Sequence, residues 1–426
     1  MLDLPTLLLQ IAVILMVARL AGWLFQRLHQ PRVVGEMAAG LILGPSVLGS
    51  ISPGMAATLF PVASLGFLNA LSQIGIILFM FLVGLELDSR LLRKRGYTAL
   101  VTSTVSIVVP FLFGGLLAVY LYPRLADSSV TLTHFVLFIA TALSITAFPV
   151  LARILTEHNL LRTQVGMVAI SSAAVGDVTA WCILAGIVLL VRAPTDAMPL
   201  WLTLLLVSAY IGAMIFVLRP LLRTLERPSR ASGGVTHDTL GILFLVLLVS
   251  AFVTERLGVH ALFGAFLAGA IMPRAHNFVA AIVEKIEALA VVLLLPLFFA
   301  FTGLRTNLGT LANADLWLWC GLIVAVAVVG KCGGATLAAY GSGMSWREAG
   351  AVGALMNARG LIELIVLNIG LDAGIISPTL FTMMVVMALA TTLMATPMLE
   401  WIYPTRVRQR DIARATELGP EAVSVS

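Results

Sequence analysis

Apolar residues along this chain do not alternate with polar ones; they run together. Thirteen such runs can be read, at roughly 6–26, 33–50, 63–86, 97–121, 133–155, 163–191, 199–222, 237–256, 259–274, 280–304, 313–340, 346–370 and 376–402. Most are close to the ~20 residues that a helix needs to cross a hydrocarbon core of about 30 Å. Lipid cannot hydrogen-bond a backbone, so a spanning segment is either a helix or a strand of a closed barrel. Runs this continuous lack the two-residue alternation of barrel strands. The pattern predicts an all-α polytopic membrane protein with about 13 transmembrane helices in 1–402 and a short tail at 403–426. The first run has no basic leader and no small-residue cleavage site, so it is read as a first span and not as a signal peptide.

Composition agrees with that reading. Of the 426 residues 60% are hydrophobic and 11% charged, with a mean hydropathy of +1.04; a soluble domain carries about 25% charged residues. The net charge of +5 does not point to nucleic acid, because the basic residues are sorted by loop. With the N-terminus outside, nineteen Lys and Arg fall in inner loops and the tail. Among them are Arg90, Arg93, Lys94, Arg95, Arg162, Arg227, Arg230 and Arg274. Only Arg124, Arg192, Arg256 and Arg305 fall outside. The positive-inside rule then predicts an outer N-terminus and a cytoplasmic C-terminus. The Arg-rich start of the tail is expected against anionic lipid. Cys182, Cys320 and Cys332 fall in runs without metal spacing and read as reduced packing residues.

A few charges remain inside the runs. Arg19 can snorkel to the inner face, and Glu36 and Glu86 are near run ends. Asp177, Lys331, Arg359 and Glu363 are deep. Asp177 is the lone formal charge near the middle of Gln164–Val191, on the order of 20 Å from water on either side. Ionisable groups at such depth are costly and usually face a cavity or one another. Arg359 and Glu363 are four apart on one helix face and can neutralise each other, so a structural clasp accounts for both. Asp177 has no basic neighbour in sequence. Lys331, set among glycines that let another helix approach, is its expected partner, although Lys331 could also snorkel. A carboxylate beside a lysine that can titrate is poised to carry a proton in one state and a metal cation in another.

Two runs carry interruptions. Ala140–Leu155 has Ser144, Thr146 and Pro149, and proline frees carbonyls of the preceding turn. Gly353–Leu364 has Asn357 and Gly360. In the first half an interrupted run precedes the Asp177 run; in the second an interrupted run follows the Lys331 run. Discontinuous helices in corresponding halves mark the midplane site of a secondary transporter and suggest an inverted repeat.

"VVGEMAAGLILGPSVLG", "FLVGLELD", "ALSITAFPVLARIL", "GDVTAW", "FGAFLAGAIMP", "LPLFFAFTGLRTNL" and "MNARGLIELIVLNIGL" together resemble the second family of monovalent cation:proton antiporters, part of the sodium/hydrogen exchanger superfamily, over about residues 10–400. The resemblance implies a homodimer in the cell inner (plasma) membrane, exchanging Na⁺ or K⁺ for protons by an elevator motion. It implies a dimerisation panel (roughly 6–90 and 237–304), a core (roughly 97–191 and 313–402) with two crossed, unwound helices, and a linker at 199–222. By motif, Asp177 matches the ion-binding aspartate and Lys331 the lysine opposite it, with Ser144, Thr146 and Arg359 in the crossed region. Gly176 stands where relatives often have Asp, Asn or Gln, so one carboxylate exchanging one cation for one proton is the simplest stoichiometry. Hydroxyls and freed carbonyls near Ser144 and Thr146 would complete the cation's oxygen shell. No resident cofactor is implied; the cation is cargo.

Three other functions fit the residues less well. An intramembrane aspartyl protease lacks its second mid-span aspartate, and "AVGD" lacks the first glycine of that motif. No filter sequence or charge ring suggests a channel. A symporter of a small organic anion would need a cation for the carboxylate, a role open to Arg359.

Overall fold

In lipid the backbone must satisfy itself, and helices are the local way to do so. The computed structural model describes residues 4–86, 96–161, 163–192, 200–224, 235–273 and 278–417. The basic loop residues 90–95, 162, 227–230 and 274 lie outside the described residues. All regular structure among the described residues is helical. Among the described residues ten helices are long and apolar enough to span, or eleven if the bent pair Trp346–Met356 and Leu361–Asp372 counts as one span. This does not confirm the count of thirteen. Run 259–274 forms only the ten-residue helix Ala261–Ala270, about 15 Å long at the usual rise. Run 280–304 is split into Phe278–Glu287, a π-helical turn Ala288–Leu294 and Leu295–Leu304.

The chain divides into two compact units. The first comprises Met1–Leu15, Ala57–Asp88 and Ala185–Phe301. Its centre is the Val62–Glu86 helix packed on Ala261–Ala270, with backbones so close that a Cβ at Gly84 would lie 2.2 Å from Phe266 O. Small residues allow this approach, which dispersion then stabilises where no hydrophobic force acts between helices. The Tyr210 and Ser250 hydroxyls are 2.6 Å apart in the same unit, and Ser250 also donates to Gly264 O.

The second unit comprises Met16–Ala56, Ser89–Leu184 and Thr302–Ser426. It holds the long helix Gly96–Leu125, a broken span (Leu132–Ser144 then Phe148–Glu157) and the first part of the Asp177 helix, Gln164–Arg192. It also holds the Lys331 span (Ala314–Gly341), a second broken span (Trp346–Met356 then Leu361–Asp372), and Pro378–Ile402. The halves of the second broken span meet at 43°. A capping box at Ser345 and Glu348 starts this span by satisfying two amides that the first turn leaves free. Beyond Ile402 the chain forms one more helix, Thr405–Glu417. Its Arg408 is buried, donating to Thr405 and meeting His158 Nδ1 at 2.7 Å. At least this tail arginine is held by protein and not by lipid. Cys320 is buried, Cys332 partly so and Cys182 exposed, and none is in a disulfide.

Candidate ion-binding site

The two broken spans cross at their breaks. Ile145–Ala147 is extended, and so is the backbone at Gly360. The Ala147 amide donates to Ala358 O at 3.1 Å, a strand-like bond between two unwound segments. Thr146 Oγ1 adds a bond of 3.4 Å to Met356 O. Gly360 makes the crossing possible, because a Cβ there would lie 2.6 Å from Val150 Cγ2. Pro149 does not break the helix. It sits in the first turn of Phe148–Glu157, where its missing N–H costs nothing and its fixed φ favours helix initiation. The break precedes it.

Each unwound end leaves polar groups that must be satisfied within the bilayer. The last turn of Leu132–Ser144 is met by two cations. Arg359 donates to Ala142 O at 3.0 Å and to Leu143 O at 2.6 Å. Lys331 donates to Ser144 O at 2.5 Å. Positive charge at a helix C-terminus is also favoured by the helix dipole. Arg359 is further paired with Glu363 at 3.1 Å, both side chains being fully buried. This is the clasp that their spacing predicts. The Arg359 backbone is held by Thr392, which accepts from its amide at 3.1 Å and lies 2.8 Å from its carbonyl. Asn357 caps Trp346–Met356 and donates to Thr391 O at 3.1 Å.

Lys331 lies in a π-helical turn, Val329–Gly333, a local widening that often marks functional positions. Its ammonium also donates to Ser106 O at 2.9 Å. That carbonyl is free for a reason legible in the sequence: Pro110, four residues on inside Gly96–Leu125, has no N–H to give it. Pro110 and Ser106 are site residues that charge-based reading misses, and the signal was a proline within an apolar run. The approach is close, a Cβ at Gly330 lying 3.0 Å from Pro110 Cα.

The expected direct pair of Asp177 with Lys331 does not form. Lys331 spends its donors on the Ser106 and Ser144 carbonyls, and it acts on Asp177 through space. Asp177 is 2% exposed, and neither carboxylate oxygen has a partner in hydrogen-bonding geometry. The Phe148 amide at the start of Phe148–Glu157 faces it, so the positive end of a half-helix is directed at this buried acid. The hydroxyls of Ser144 and Thr146 donate to Thr141 O and Met356 O, which leaves their lone pairs available to a cation. Beside Asp177, Gly176 is buried, yet a Cβ there would meet nothing within 4 Å. The Asp177 carboxylate thus keeps unused oxygen valence, the ligand type that a hard cation requires. A separate cavity of about 280 Å³, lined by Ser103, Ile107, Phe111, Val175, Thr179 and others, lies on the face of the helix away from Asp177.

Residues 14–403 match the family of sodium/hydrogen exchanger transmembrane regions. The chain belongs to this family. The family is one of transporters and not of enzymes. The chain is 42% identical over 406 residues to the Na(+)/H(+) antiporter NhaS4 of Synechocystis sp., covering 94% of this chain and 99% of that protein. It is 41% identical over 401 residues to Cation/H(+) antiporter 17 of Arabidopsis thaliana, covering 94% of this chain and 48% of the other. It is 37% identical over 409 residues to K(+)/H(+) antiporter 1 of Saccharomyces cerevisiae, covering 94% and 47%. It thus spans about half the length of these plant and yeast relatives. Its fold is similar to that of the sodium proton antiporter MjNhaP1 of Methanocaldococcus jannaschii. The TM-score is 0.68 at 17% identity, covering 96% of this chain and 98% of the other.

Proposed function

We propose that this exchanger family member is a cation/proton antiporter in which Asp177 alternately binds a monovalent cation, Na⁺ or K⁺, and a proton. One observation carries the reading: a fully buried carboxylate with both oxygens unpaired, facing a half-helix N-terminus where two unwound segments cross. Such a group is tolerable only if something binds it in part of the cycle. With no second carboxylate at Gly176, cation and proton compete for one site, and that competition couples the fluxes. Oxygens of Ser144 and Thr146 complete the cation's shell, and Lys331 offsets the anion in the empty state. A core of roughly 97–191 and 313–402 moves as an elevator within a homodimer, with the N-terminus outside and the tail inside a cell inner membrane. The loop charge asymmetry supports this orientation. The names of the relatives divide between Na⁺ and K⁺, and cargo choice rests on oxygen geometry. The organic-anion symporter loses its support, because Arg359 is occupied by two carbonyls and Glu363. Proteoliposomes loaded with a pH dye and challenged with Li⁺, Na⁺, K⁺ or Rb⁺ test the proposal. Asp177→Asn should abolish cation-driven proton movement while the folded protein persists; retained exchange overturns the assignment.

A further inference from the structure

The turn that follows Leu295–Leu304 is held from two sides, and the two holds differ in kind. Towards residues 40–46 the hold is backbone on backbone. A Cβ at Gly303 would lie 2.0 Å from Gly40 C, and one at Gly44 would lie 2.3 Å from Gly303 O. Backbones this close gain their dispersion energy only at this separation. Ser46 fixes the register as well, donating to Thr306 O at 2.7 Å and accepting from the Leu308 amide at 3.0 Å. Towards the second broken span the hold is made through side chains. Arg305 donates to Asn368 Oδ1 at 3.0 Å and to Asp372 Oδ1 at 2.5 Å. Asn368 donates in turn to Thr302 Oγ1 at 2.9 Å, and Thr382 Oγ1 accepts from the Asn307 amide at 3.3 Å. These partners all belong to the second unit. The Arg305 and Asp372 side chains are 23% and 46% exposed, so water can take over from each when they part. Asp372 ends Leu361–Asp372, the half-helix that starts at the crossing. Arg305 thus grips the far end of an element whose near end shapes the ion site.

We propose that Arg305 is a latch of the transport cycle: it fastens the end of Leu361–Asp372 to the turn 302–308 in one transport state and lets go as the half-helix moves to the other. The inference rests on the proposed elevator motion, whose core of roughly 313–402 contains Asn368, Asp372 and Thr382 and leaves the turn outside. Bond type says where the seam runs. When two packed bodies shift, polar side chains at a wetted end exchange their partners for water and re-form the contact afterwards. Close-packed glycine backbones have no such exchange available, and backbone within lipid has no water to turn to. The turn therefore stays with 40–46 and parts from the half-helix at Arg305. In the proposed orientation this seam is on the outer face. Arg305 gates the motion and touches no cargo.

The test uses the full-length protein in proteoliposomes. Cys182, Cys320 and Cys332 are replaced by serine, and Arg305→Cys and Asp372→Cys place one thiol on each side of the seam. A short bifunctional methanethiosulfonate joins the two thiols through disulfides that a reductant reopens. Linking should lower cation-driven proton exchange by about tenfold or more, and reduction should restore it. Exchange that continues in protein shown by mass spectrometry to be fully linked overturns the proposal, because the contact then persists through the cycle. An equal loss with the monofunctional reagent overturns it, and so does failure of the two positions to link. If the serine background does not fold, Asp372→Asn in the otherwise unmodified protein removes the charge and keeps the shape. The ratio of the half-saturating cation concentrations measured from the two faces should then change by about fivefold, one rising and the other falling. A loss of stability with that ratio unchanged would show a structural pair only and overturn the latch. Asp177→Asn run in parallel separates the two readings. Exchange surviving in that variant refutes the ion site itself. Loss of exchange there, with exchange intact in the linked protein, refutes only the role of Arg305.

Discussion

Replacing Arg359 by methionine measures what holds the crossing together. The guanidinium serves three buried acceptors: Ala142 O, Leu143 O and Glu363 Oε2, at 3.0, 2.6 and 3.1 Å. Methionine fills similar volume and serves none. Orphaning one member of a buried ion pair costs about 3–5 kcal/mol, and each stranded carbonyl adds about 1–3 kcal/mol unless water reaches it. The penalties overlap, because Glu363 can take up a proton and local backbone can shift, so the expected loss is about 5 kcal/mol. The double variant Arg359→Met/Glu363→Gln removes the stranded charge and leaves only the two carbonyls. It should therefore be more stable than Arg359→Met alone by about 2 kcal/mol, a coupling within the usual range for contacting residues. Equilibrium unfolding in mixed micelles titrated with SDS, followed by circular dichroism, gives all four corners of the cycle. A loss under about 1 kcal/mol for Arg359→Met would refute the reasoning. So would a double variant whose loss equals the sum of the single losses. Asp177→Asn gives the contrast, abolishing exchange with stability intact.

Two further outcomes follow from packing and charge. A Cβ at Gly353 would lie 2.1 Å from Thr336 Oγ1 and 2.7 Å from Cys332 O. Gly353→Ala should accordingly cost about 1–3 kcal/mol by overpacking. Gly321, with open space around its Cβ, should tolerate alanine or gain about 0.5–1 kcal/mol of helix preference; equal stability of the two variants in the same titration would contradict the packing. At the end of the first broken span, burial and then the Arg408 guanidinium hold His158 below the ordinary histidine range. Glu400 and Glu157 oppose them and His29 adds to them. The docked state of Thr405–Glu417 therefore binds fewer protons than the undocked one. Docking should be complete above about pH 6.5 and weaken as pH falls below it. Hydrogen exchange at 405–417, corrected for intrinsic rates, should show protection that declines as pH falls below about 6.5. His158→Gln should remove that dependence, and an undiminished dependence would exclude His158 as its source.

Much of this molecule was legible before any fold was considered. Unbroken apolar runs dictate helices because lipid cannot satisfy a backbone, and the same runs make Asp177, Lys331, Arg359 and Glu363 conspicuous. The four-residue spacing of Arg359 and Glu363 anticipates their clasp because helical geometry is local. The number of spans was less legible. Run 259–274 is apolar enough to cross, yet only ten of its residues are helical, and hydropathy records composition and not where a helix ends. Beyond that clasp, the partners of the buried charges were not legible. Lys331 was expected on Asp177, but it sits on carbonyls freed by the end of one helix and by Pro110 in another. The crossing of Ala147 with Ala358 joins residues more than two hundred positions apart. Sequence determines which charges lie deep within apolar runs, because that depends on the length and polarity of each run alone. Which group meets which charge depends on where freed backbone dipoles converge, and only the tertiary structure decides that.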